Sequence, residues 1–136
     1  MIGARDISED LTLFSVWKIW VNARTEAKAR ILLSRVLKKM HCTAEVRWIE
    51  PYPKIDGFVV CFSIPVESQR WNDAIVETIE RGQRFAHGWD LDGSIYENPE
   101  AASNRTSISG VVMAEWRLLS EPQLRVLRGG LADQFQ

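Results

Sequence analysis

Apolar residues recur along this chain with two different periods, and each change of period marks an element. In residues 13–21 the run Leu-Phe-Ser-Val-Trp-Lys-Ile-Trp-Val sets Trp17, Ile19 and Val21 on one face and Phe14, Val16, Lys18 and Trp20 on the other. That is a strand apolar on nearly both sides. After Thr25, a suitable N-cap, the spacing becomes helical: Ala29, Leu32, Leu33, Val36, Leu37 and Met40 form one stripe, with Lys28, Arg35, Lys38 and Lys39 elsewhere around it. His41 follows the helix, where a histidine suits the C-terminal end of the dipole. Next, Ala44, Val46 and Trp48 alternate with Glu45, Arg47 and Ile49, which predicts a half-exposed strand ending at Pro51. A turn through Asp56-Gly57 leads to the nearly unbroken apolar run 58–64, the pattern of a central strand.

A second helix is predicted from Ser68 as its cap, with Trp71, Ala74, Ile75, Thr78, Ile79 and Gly82 on one stripe and Gly88 at its end. Residues 89–95 then read as a fourth strand, Trp89, Leu91 and Ile95 opposite Asp90, Asp92 and Ser94. A polar loop over residues 97–107 precedes a fifth strand, 108–118, with Val112, Ala114, Trp116 and Leu118 on one parity. The order β-α-β-β-α-β predicts an α+β fold: a ferredoxin-like split β-α-β sandwich with an additional C-terminal antiparallel strand and the helices on one face of the sheet. Residues 1–121 are expected to form a single domain, and 122–136 a partly ordered tail.

Charge narrows the functional classes. Seventeen basic against eighteen acidic residues give a pI of about 6.1, far from the footprint of a nucleic-acid binder. The same element order occurs in the RNA-recognition motif, and Ile19-Trp20-Val21-Asn22 and Asp56-Gly57-Phe58 sit where its two signatures would lie. There, however, an acid replaces the expected base, and Val60 and Ser63 replace the later aromatics. The first residues are polar rather than a leader segment, and no apolar stretch approaches a membrane span, so the expectation is a cytoplasmic protein with no nucleic-acid or membrane partner. Cys42 and Cys61 are expected to be partly buried free thiols, Cys61 with a raised pKa.

No phosphate-binding glycine loop, nucleophile elbow, Cys-x-x-Cys or His-Glu-x-x-His occurs, so the chain is expected to be no enzyme and to need no cofactor. His87 with Asp90 and Asp92 could in principle hold a hard metal, but paired aspartates on an edge strand also discourage edge-to-edge aggregation, and no metal is expected. Binding is favoured by six tryptophans and by uneven charge. Residues 67–100 balance at -5 and residues 18–47 at +6, so helix two and strand four present an acidic surface to a basic partner.

At Gly88-Trp89-Asp90-Leu91-Asp92-Gly93, and again at Ser109-Gly110-Val111-Val112-Met113-Ala114-Glu115-Trp116, the chain resembles small immunity proteins of bacterial polymorphic toxin systems, including those of contact-dependent growth inhibition. The resemblance implies a cytosolic, non-enzymatic inhibitor that binds a cognate toxin domain. Asp90, Asp92, Glu97 and Glu100 would then imitate phosphates, Tyr96 or Trp89 would supply apolar anchorage, and Glu77 and Glu80 would extend the acidic surface. The alternative expectation is a ferredoxin-like small-molecule-binding or regulatory module that forms a homodimer through its sheet.

Overall fold

The nine-residue apolar run at the start of the pattern becomes β1 (Leu13–Val21), and every other sheet element is arranged around it. The computed structural model describes residues 12–68, 70–94 and 96–127. The expected N-terminal polar segment and the fraying of the tail past 127 concern residues outside that range. The elements continue with α1 (Glu26–Met40), β2 (Glu45–Tyr52), β3 (Gly57–Pro65), α2 (Trp71–Gln83), the short strands β4 (Ala86–His87), β5 (Asp90–Asp92), β6 (Glu100–Ser103) and β7 (Arg105–Thr106), then β8 (Val111–Ser120) and α3 (Glu121–Val126). Six strands form one antiparallel sheet in the order β2-β3-β1-β8-β6-β5, while β4 and β7 pair separately. The α+β class holds.

α1 begins where Thr25 Oγ1 accepts from the Lys28 amide at 3.1 Å and ends where His41 adopts the left-handed conformation. Ala29, Leu32, Leu33, Val36 and Met40 are buried, as the spacing predicts, against Trp17, Ile19, Val21, Val60, Phe62 and Trp116. α2 packs Trp71, Ala74 and Ile75 on Leu13 and Leu118, which share the parity of Trp17 and Trp116, so both long helices cover one face. Trp17 is the hub of this core, with ring centroids 6.0–6.4 Å from Phe62, Phe85, Trp89 and Trp116. On the far face Val16, Trp48, Val59 and Cys61 pack with Leu124 of α3, so the third helix departs from the expected one-sided arrangement. The expected boundary after residue 121 falls in the first turn of this helix.

Three sequence expectations change. The register of β2 shifts between Val46 and Trp48, a bulge that sends Trp48 to the face opposite Val46, although simple alternation puts them together. Ser68 does not cap α2, which starts at Trp71 with Arg70 as an N-cap lacking a side-chain bond; the Glu77 carboxylate instead accepts from the Glu67 and Ser68 amides at 2.9 and 3.0 Å. The helix stops at Gln83, short of Gly88. Finally, the fourth strand expected over residues 89–95 is the three-residue β5 at the margin of the sheet. The place beside β1 belongs to β8, the strand expected to be supernumerary.

Candidate functional site

Residues directly opposite in an antiparallel sheet share a face, so the register maps side chains across all six strands. One row runs Asp90, Ala102, Glu115, Lys18, Cys61, Trp48, and the next runs Asp92, Glu100, Arg117, Val16, Ser63. Asp90, Asp92 and Glu100 therefore lie on the far face, away from α1 and α2. Leu91 pairs with Ala101, and Ala101 with Trp116, so Leu91 takes the helix-covered face.

The turn after β5 is tightly specified. Gly93 has a φ of 71°, and the Asp92 carboxylate accepts from its amide at 2.8 Å. Asn98 closes the turn: its side-chain oxygen accepts from the Ser94 amide at 3.1 Å, and its own amide donates to the Ser94 carbonyl at 2.8 Å. The Tyr96 amide bonds to Ser94 Oγ at 3.2 Å. Tyr96 is 68 % exposed and Leu91 56 % exposed, and Asp90, Asp92 and Glu97 are exposed beside them. Among the described residues none of those three carboxylates has an ion-pair partner.

The sequence-predicted site residues thus divide. Asp90, Asp92, Tyr96 and Glu97 come together on the β5–β6 hairpin. Glu100 belongs to the same hairpin but pairs with Arg117 at 3.3 Å. Trp89 turns inward, edge-on to Trp17 and Phe85, its indole N–H donating to the Ala86 carbonyl at 3.2 Å. Gly82 is the residue that makes room for it, since a Cβ there would press on the Trp89 ring. Glu77 and Glu80 lie apart, on α2: Glu77 is half-buried, bonded to Arg81 at 3.0 Å and to the two loop amides, and Glu80 is exposed on a polar cleft shared with Glu67, Asp73 and Arg84.

Two features escaped the sequence reading. Beneath β5, Trp89, Leu91, Ala101, Trp116, Ile79 and His87 line a mainly apolar groove of about 290 Å³. Its signal in the sequence is Leu91, an apolar residue set between two aspartates. On the far face Lys18 and Glu115 meet at 3.9 Å, with Lys18 Nζ 5.9 Å from the centre of the Trp48 ring. Burial holds the Lys18 ammonium below its usual range against the pull of Glu115, and burial raises the Glu115 carboxyl against the pull of Lys18. Burial also pushes the Cys61 thiol up to about 12. Both cysteines are free, Cys61 buried and Cys42 half-buried.

Among the described residues no three His, Cys, Asp or Glu side chains converge as a metal site, so His87, Asp90 and Asp92 do not form one. No helix among them is long and apolar enough to cross a membrane. Comparison with protein-family models, with curated proteins and with solved structures gave no match.

Proposed function

We propose that this chain is a protein-binding inhibitor acting in the cytoplasm, in its specific form an immunity protein that neutralises a cognate toxin domain by occupying it. One observation carries the reading: the β5–β6 hairpin gathers Asp90, Asp92 and Glu97, which have no ion-pair partner among the described residues, with exposed Leu91 and Tyr96. Apolar anchors beside uncompensated charge are the composition of a contact surface, and the carboxylates steer a basic partner toward it. The order β2-β3-β1-β8, with α1 and α2 on one face, supports a ferredoxin-like core into which residues 86–106 are inserted as the binding extension.

The test is capture from a lysate of the source organism by the tagged chain and by its Asp90→Lys/Asp92→Lys variant. Retention of a toxin domain in equal proportion by the native chain, with slower association to the variant, supports the reading. Equal association of both at low salt removes the hairpin from the interface, and recovery of nothing but further copies of the chain sinks the inhibitor reading. That last outcome would favour a self-associating regulatory module, for which the half-buried Trp20, Tyr52 and Met113 on the far face speak.

A further inference from the structure

We propose that the outer edge of β5 accepts an extended segment of a protein partner, with alternating basic and apolar residues, as a seventh strand of the sheet. The inference rests on the binding-protein reading and specifies how the partner is held.

The sheet ends at β2 on one side and β5 on the other, and the two margins differ. β2 carries Pro51, which has no N–H to offer a neighbour, and the irregularity between Val46 and Trp48; both are ways of blunting an edge. β5 has neither, and among the described residues it pairs with β6 alone. Its two faces ask for different chemistry. Asp90 and Asp92 point to the far face without ion-pair partners among the described residues, so residues placed opposite them in an added strand meet two carboxylates at roughly 5 Å between Cβ atoms. The intervening residue meets Leu91 on the other face, above the apolar groove with Trp89, Ile79, Ala101 and Trp116 beneath. Backbone bonds supply affinity, and the alternation supplies specificity. The same aspartates disfavour a second copy of this edge, because antiparallel self-pairing about Leu91 would set Asp90 against Asp92. Charge complementarity therefore selects a basic partner strand.

The experiment titrates the full 15N-labelled chain with an octapeptide alternating Lys and Val, and with a peptide of the same composition in which four Lys precede four Val. The expected result is binding of the alternating peptide at least tenfold tighter, with slowed amide exchange over residues 90–92. Leu91→Lys should abolish the preference without altering the backbone, and Leu91→Pro should do the same by removing an edge amide. Equal affinity for both peptides, reduced for both by Asp90→Asn/Asp92→Asn, overturns strand addition while the acidic-surface reading stands. Equal affinity indifferent to those substitutions overturns both. Binding of neither peptide overturns strand addition and leaves the acidic surface to be judged by the lysate capture.

Discussion

Lys18 and Glu115 face each other across β1 and β8, with side-chain exposures of 11 % and 25 % and 3.9 Å between Nζ and Oε1. For each, burial is the larger influence on its proton affinity and the partner's charge the smaller. Desolvation thus outweighs mutual attraction at both ends, which means that the pair as a unit does not stabilise the fold, although either charge alone would be worse off. Lys18→Met leaves Glu115 largely buried without the ammonium opposite. The loss on breaking a fully buried pair is about 3–5 kcal/mol. Residual solvent access and nearby Arg117 reduce it here to about 2 kcal/mol, and Glu115→Gln should cost a similar amount. The double variant Lys18→Met/Glu115→Leu removes both desolvation penalties and should lie within about 1 kcal/mol of the native chain.

Urea unfolding of all four proteins measures this directly, and pH supplies an independent check. Because the folded Glu115 carboxyl lies above the ordinary value of about 4.3, the folded chain binds more protons there than the unfolded one. Its burial penalty is present at neutral pH and is relieved as pH falls through the raised value. In Lys18→Met the opposing ammonium is gone and the relief grows, so the deficit at neutral pH should shrink as the pH is lowered. Lys18 behaves in the opposite sense, its penalty present at neutral pH and relieved only as pH rises. Single losses that add to within about 0.5 kcal/mol in the double variant, or a Lys18→Met deficit indifferent to pH, would refute the reasoning.

Other consequences are simpler. At about pH 8 Ellman's reagent should titrate Cys42 in the native chain and reach Cys61 only on unfolding, since Cys61 is buried with its thiol raised to about 12; two rapidly reacting thiols would contradict this. Glu77→Ala removes the acceptor of two loop amides and the partner of Arg81 and should lower stability by about 2 kcal/mol in urea, whereas exposed Glu80→Ala should stay within about 0.5 kcal/mol. Thr25→Ala deletes the cap of α1 and should cost about 1 kcal/mol, read as a lower urea midpoint at unchanged slope.

Where one period runs unbroken, the sequence was sufficient. β1, α1 and β3 were legible because their apolar positions repeat cleanly and their stop signals are local. β2 was legible as a strand but not in its facing, because a single-residue register shift inverts every later side chain and leaves no compositional trace. Residues 89–95 show alternation, yet alternation does not say whether a strand lies beside β1 or at the margin; that is decided by β8, whose Ala114, Trp116 and Leu118 bury against the core more completely. Glu77 could not be read as a loop anchor because its amide partners lie nine and ten residues upstream, beyond any capping motif.

Charge summed along a chain also differs from charge presented to a partner. Of the eight acids in residues 67–100, Glu77 is committed to Arg81 and to backbone amides, and Glu100 to Arg117. On the basic side, Lys18 is half-buried with Glu115, Arg30 pairs with Glu26 and Arg47 with Glu45. The asymmetry that pointed to an acidic surface is therefore partly cancelled inside the fold, and what remains is divided between Glu67, Asp73 and Glu80 along the α2 cleft and Asp90, Asp92 and Glu97 on the hairpin. Among the described residues Asp90, Asp92 and Glu97 have no ion-pair partner and lie within eight residues of sequence, on a turn held by Gly93 and Asn98. Steering depends on charge that solvent and partner can both reach, so on the proposed reading the salt dependence of association should follow Asp90, Asp92 and Glu97 and be nearly indifferent to Glu77. For that reason a test placed on Glu77 would read out stability, and one placed on the hairpin would read out binding if the proposed function holds.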